Sequence, residues 1–152
     1  LYQVSNTGNE LGGQWLQEIL GNQYKVHILH DLYSYAHLDS TIIPLREGLV
    51  LYNGSRVTEE NEPALFKSWD KIWINECVKS PPIKNIPWGA SEWIGLNLLS
   101  INPNLAIVDA KQKQLIDKLN KNKIETIPLT LRHDRIISGG FHCVTLDLKR
   151  KE

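Results

Sequence analysis

Methionine is absent from this chain of 152 residues, and cysteine occurs only twice, as Cys77 and Cys143. Two cysteines cannot build a disulfide framework. Neither lies in a CxxC or Cys/His spacing of the kind that holds zinc, so a stapled scaffold and a structural zinc site are both excluded as the basis of the fold. A reducing compartment, the cytoplasm, is the simplest expectation. With no methionine ahead of Leu1, we expect a chain cut from a longer one. Charge of one sign is missing as well, since 17 basic residues balance 17 acidic ones. Without a basic excess there is no electrostatic footprint for DNA, RNA or an anionic membrane surface, which leaves small molecules and proteins as the expected partners. No apolar run approaches the roughly 18 residues of a membrane span, and no signal peptide opens the chain.

What is present is ordinary globular composition, 41% hydrophobic and 22% charged, at a length that buries one core, so residues 1–152 are expected to form a single domain or part of one. A capping-box pattern at Thr7 and Glu10, followed by Leu11, Trp15 and Ile19 at a spacing of four, predicts a helix that ends at Gly21. Strand patterns follow over Tyr24 to Leu29, Ser40 to Leu45 and Leu49 to Tyr52, the last two flanking a turn at Arg46-Glu47-Gly48. A short helix over Pro63 to Trp69 and a strand over Lys71 to Asn75 come next. Three prolines, Pro81, Pro82 and Pro87, predict a loop from Lys79 to Trp88. Beyond it the order recurs: strands over Leu96 to Ile101 and Leu105 to Val108 around a turn at Asn102-Pro103-Asn104, a helix marked by Leu115, Ile116 and Leu119, and a strand over Ile124 to Leu129. A final strand is expected over Phe141 to Leu148.

Shifting the chain on itself by 56 residues lays Leu45 on Ile101, Leu49 on Leu105, Leu51 on Ile107 and Ile72 near the last strand. The repeated unit is strand, strand, helix, strand, and units of this size form arrays in which each buries its face on its neighbours. Residues with chemical potential cluster where units begin: His37 and Asp39 open one, Ser91 and Asn97 the next, Cys143 the last. Arranged radially, these starts would converge on a common axis.

Taken one at a time, these residues leave two readings open. A free thiol with a pKa of about 8.5 is a poor nucleophile at neutral pH without a base, a cation or backbone donors, so Cys143 alone reads first as a small buried hydrophobe. The preceding pair Gly139-Gly140 tilts this, because two glycines permit close backbone approach to a ligand. His37-Leu38-Asp39, if extended, puts an imidazole and a carboxylate on one face, which suits a proton shuttle and a cation anchor or a plain solvated strand entry. Arg56, after the turn at Asn53-Gly54-Ser55, could clamp a carboxylate or simply sit in solvent. His142 is expected to point away from Cys143 and serve structurally. Cys77 reads as a structural thiol, and His27, His30 and His133 have no spacing that suggests a metal. Trp69, Trp73, Trp88 and Trp93 read as core and loop anchors rather than a stacking platform.

Together, "HLDSTIIPLREGLVLYN" from His37, "GASEWIGLNLL" from Gly89 and "SGGFHCVTLDLKR" from Ser138 resemble the amidinotransferase family in order and spacing, over nearly the whole chain. The most specific stretch is G-G-F-H-C-x-T-x-D-x-x-R. The resemblance implies the C-terminal portion of a pentein-type α/β propeller built of ββαβ units, with two to three of five units present. It also implies transfer of an amidino group from L-arginine to an amine through a covalent amidino-cysteine, as in the glycine enzyme that makes guanidinoacetate for creatine biosynthesis. In that frame Cys143 is the nucleophile and His37 the general acid and base. Asp39 holds the guanidinium, Arg56 grips the substrate carboxylate, and Ser91 lines the pocket. No metal or cofactor is implied, and a homodimer of the full-length protein stays open. Ser138 departs from a family glycine. The family's second aspartate, paired with the histidine, falls upstream of Leu1, so the chain alone is expected to be incomplete and inactive. A guanidine hydrolase of the same fold and a non-catalytic fragment stay open as alternatives.

Overall fold

The structure is a computed structural model that describes residues 1–79, 91–132 and 134–149. Strand β1 (Tyr2–Gln3) is followed by helix α1 (Glu10–Leu20) and by β2 (Ile28–Leu29), which pairs in parallel with β1. Asn9, not Thr7, caps α1: its Oδ1 accepts the Gly12 amide at 2.9 Å. Gly21 ends the helix with φ 62° and ψ −152°, a backbone conformation open essentially to glycine alone. The apolar stripe whose spacing predicts the helix faces outward. Leu11, Trp15 and Ile19 are 71%, 63% and 60% exposed, while Gly13 sits so close to Ile28 that a Cβ there would lie 2.8 Å from its Cδ1. The glycine face packs because it allows backbone contact with β2; the bulky face has no neighbour among the described residues.

Two three-stranded sheets carry the rest. The first orders β3 (Ile42–Arg46), β4 (Leu49–Asn53) and β5 (Asp70–Ile74), with β3 antiparallel and β5 parallel to the central β4. The second repeats this with β6 (Leu99–Asn102), β7 (Leu105–Asp109) and β8 (Glu125–Leu129). The expected repeat is therefore present as two units, even to a register shift that falls at Arg46 in one hairpin and Asn102 in the other. Where the second unit crosses over by helix α2 (Lys113–Lys121), the first uses a single 3-10 turn at Ala64–Phe66. The loop expected from Lys79 to Trp88 falls, beyond Lys79, outside the described residues, as does His133.

All five residues of β4 are buried, so its side chains serve two cores. Leu49 and Leu51 join Ile72, Ile74, Leu96, Val108, Leu115 and Leu119 in a cluster that ties both sheets and α2 together. Val50 and Tyr52 face the other way, onto Leu29, Phe66 and Val57. Trp69 stacks edge-on against Phe66 and Trp73 lies 4.8 Å from the Tyr52 ring, which makes both tryptophans core anchors as expected. Arg46 bolts the units together by donating to the carbonyls of Pro103 and Asn122.

The final strand is not formed. Residues 141–144 make a turn, with the Val144 amide on the Gly140 carbonyl and Thr145 Oγ1 donating to the carbonyls of Phe141 and His142. Alternation alone does not make a strand, which needs a ladder partner. Among the described residues Val144, Leu146 and Leu148 have none and stay 46%, 80% and 89% exposed.

Candidate active site

Three unit-opening turns meet at one place. Leu38–Ser40 is a 3-10 turn ahead of β3, not the extended segment expected, because His37 before it adopts a left-handed backbone, φ 77° and ψ 57°. Such a conformation is unfavourable for a side-chain-bearing residue and persists only when its surroundings enforce it. Here the enforcement is visible: the His37 carbonyl accepts from Ser40 Oγ at 3.1 Å and Thr41 Oγ1 at 3.2 Å, and both hydroxyls are fully buried.

Asn97, at the second opening, fastens the third to the first. Its buried Oδ1 accepts the amides of both His142 and Cys143 at 3.1 Å, its carbonyl accepts from Phe141, and its Nδ2 donates to the Asp39 carbonyl at 3.4 Å. This junction explains the glycine pair. A Cβ on Gly140 would lie 2.6 Å from Asn97 Cβ and 2.9 Å from its carbonyl oxygen, and one on Gly139 would lie 2.6 Å from Cys143 Cβ. Close approach is what the glycines permit, but the approach is to the protein itself. Ser138 has φ 57°, so the site of departure from the family glycine is one where glycine would be the unstrained choice.

Cys143, His37 and Asp39 come together, with their donor atoms all within 4.8 Å of one another. Sγ of Cys143 donates to Asp39 Oδ2 at 3.2 Å and lies 4.0 Å from His37 Nδ1. These three types could in principle share a metal ion, although thiol and carboxylate already satisfy each other. Residue 143 is exposed as a whole, yet its Sγ lies against Asp39. Burial of that atom, followed by the Asp39 charge and the hydrogen bond to it, pushes the thiol up to about 11. Burial also pushes the Asp39 carboxyl up, but the hydrogen bonds from Cys143 and His142 outweigh it and hold the group below its ordinary value. Among the described residues Asp39 Oδ1 is buried without a hydrogen-bond partner, and His37 Nδ1 lies 4.0 Å from it. His142, expected to point away, instead places Nδ1 2.8 Å from Asp39 Oδ2.

Arg56 and Ser91 form a second group. Arg56 donates to Thr41 Oγ1 at 2.7 Å, Ser40 Oγ at 3.2 Å and Ser91 Oγ at 2.5 Å, with the Tyr33 ring 3.6 Å from its Cζ. Ser40 and Thr41 thus link Arg56 to the His37 carbonyl. Burial lowers the Arg56 pKa, while the hydroxyls of Ser40, Thr41 and Ser91 accept from its Nη1 and Nη2. Arg56, Ser91 and Tyr33 line a cleft of about 970 Å³; Asp39 and His142 border another of about 370 Å³ between β3 and β6. Sequence reasoning missed the roles of Asn97, His142 and Tyr33. The available signals were a polar residue amid the buried run Trp93 to Leu98, and a histidine adjoining the reactive candidate.

A scan against protein-family models finds no match. Over 150 residues the chain is 49% identical to inosamine-phosphate amidinotransferase 1 of Streptomyces glaucescens, covering 99% of this chain and 43% of that protein. Against the mitochondrial glycine amidinotransferase of Xenopus tropicalis it is 35% identical over 159 residues, covering 98% of this chain and 35% of the relative. Its structure matches that of the inosamine-phosphate amidinotransferase of Streptomyces griseus with a TM-score of 0.92 and 47% identity, across 99% of this chain and 43% of that one. The N-terminal domain of a cyanobacterial arginine dihydrolase matches at a TM-score of 0.71 and 16% identity, a likeness of fold alone. These neighbours have the pentein fold, which the two α/β units fit. The chain spans less than half the length of the relatives it matches, and over that span it is a homologue of the C-terminal part of the inosamine-phosphate and glycine amidinotransferases.

Proposed function

We propose that the protein carrying this chain transfers an amidino group from L-arginine to an amine through a covalent amidino-cysteine. The observation that carries the reading is the buried Oδ1 of Asp39, without a hydrogen-bond partner among the described residues, beside a thiol 3.2 Å from Oδ2 and an imidazole 4.0 Å from that thiol. A guanidinium N–H is the donor that fits an unsatisfied carboxylate oxygen. Its positive charge offsets the Asp39 charge that holds the thiol protonated, so substrate binding itself favours the thiolate. His37 then takes the thiol proton. Sγ attacks the guanidinium carbon, the bond to the ornithine nitrogen breaks, and His37 delivers the proton to the departing amine. In the second half the acceptor amine attacks the amidino carbon, gives a proton to His37, and the C–S bond breaks to restore Cys143. Arg56 grips the arginine carboxylate, with Ser91 and Tyr33 setting the wall of that cleft.

Incubation with arginine and mass spectrometry tests this: an amidino adduct on Cys143 with release of ornithine supports it, and the absence of both overturns it. Exposure of Cys143 favours a second reading, a guanidine hydrolase, since water can reach the adduct. Citrulline or urea formed without any added amine would select it. The compartment proposed is the cytoplasm, on the strength of two free thiols. Among the described residues no helix is long and apolar enough to cross a membrane.

A further inference from the structure

His142 holds a place that the proposed reaction does not use. Its Nδ1 lies 2.8 Å from Asp39 Oδ2, the oxygen that also accepts the Cys143 thiol at 3.2 Å. An ionised carboxylate only accepts, so the proton of this contact belongs to Nδ1. Oδ2 thereby carries two donors and Oδ1 none. The backbone beneath His142 is fixed, because Asn97 Oδ1 accepts its amide and that of Cys143, and Asn97 Nδ2 reaches the Asp39 carbonyl. Nucleophile, histidine and the Asp39 backbone are therefore tied to one side chain.

The consequence appears during turnover. Once the thiol has lost its proton, or carries an adduct, it stops donating to Oδ2, and a thiolate beside the carboxylate repels it. Of the two donors on Oδ2, only His142 remains. We propose that His142 is a positioning residue that holds Oδ2 so that Oδ1 stays turned toward the substrate guanidinium throughout the reaction. This rests on the reading of Asp39 as the guanidinium anchor.

The test removes the thiol so that His142 acts alone. Arginine binding is measured by calorimetry on C143A, C143A/H142A and C143A/H142N; asparagine places an N–H near the position of Nδ1. The expected result is binding by C143A, a loss of about tenfold in C143A/H142A, and recovery to within roughly threefold in C143A/H142N, the size of effect that one charge-assisted hydrogen bond supplies. In the enzyme with its cysteine, H142A raises KM for arginine more than it lowers kcat, and H142N reverses most of the rise. Equal affinity of C143A and C143A/H142A, or a loss that asparagine does not recover, overturns the role of His142 while leaving Asp39 as the anchor. Failure of folded C143A to bind arginine at all overturns the anchor reading and takes this proposal with it. His142 is 59% exposed, so its replacement leaves the core untouched.

Discussion

At the scale of the residue, the resting site is chemically quiet. With its thiol raised to about 11 by burial and then by Asp39, Cys143 is protonated at neutral pH, and its alkylation by iodoacetamide should accelerate steadily from neutral pH into the alkaline range. Asp39→Asn removes the charge but not the burial. The midpoint of that acceleration should therefore move down while staying above that of an exposed thiol, and an unmoved midpoint would refute the electrostatic account. Stability follows the same groups. Cys77, raised to about 11 chiefly by burial, and Cys143 both favour the protonated form in the fold relative to the ordinary value of 9.0. Their contribution is complete below pH 9 and is lost as pH climbs from 9 to 11. Denaturation midpoints should fall across that window, and less steeply in Cys77→Ala. Gly140→Ala is a steric case, since its Cβ would meet Cβ, Oδ1 and the carbonyl oxygen of Asn97. It should abolish adduct formation and lower stability by about 1–3 kcal/mol, as overpacking does, measured by urea denaturation.

At the scale of the element, α2 carries much of the junction between sheets through Leu115 and Leu119, which are 1% and 0% exposed. Leu119→Ala should cost about 2–5 kcal/mol in urea unfolding. A smaller loss would mean that the cavity collapses. The hairpins, the helix that crosses the second unit and the parallel return strands were legible in the sequence because a run such as Leu49 to Tyr52, apolar at every position, has few ways to hide its side chains other than a central strand. What misled were patterns that state a preference without naming a partner. Leu11, Trp15 and Ile19 keep helical spacing yet face outward, and Val144, Leu146 and Leu148 alternate like a strand with nothing to pair. His37 could not be read as left-handed, since that conformation is imposed by the hydroxyls of Ser40 and Thr41. The motifs named Cys143, His37, Asp39, Arg56 and Ser91 together; the fold gathers the first three and sets Arg56 and Ser91 in a second group. Asn97 and His142 were not legible, because their work lies in contacts across 46 and 103 residues of chain.

At the scale of the whole molecule, the outer face of α1 and the tail after Cys143 leave large apolar side chains in water. Trp15, at 63% exposure, should emit at the red end of the tryptophan range and be quenched by acrylamide, whereas Trp93 should be shielded. Replacing Trp15 with phenylalanine and comparing quenching isolates its share. A Trp15 contribution that acrylamide does not reach would show that this face is covered in solution. The repeat itself has a wider consequence. In both units the hairpin and its return strand are the constant part, while the segment entering the hairpin differs: His37 to Thr41 in one, Ser91 to Asn97 in the other. Apart from Arg56, which follows β4, the candidate site residues of each unit thus lie outside its hairpin and return strand. A lineage, or a laboratory selection, can rewrite the entering turns to change what the site does while the hairpins keep the molecule standing.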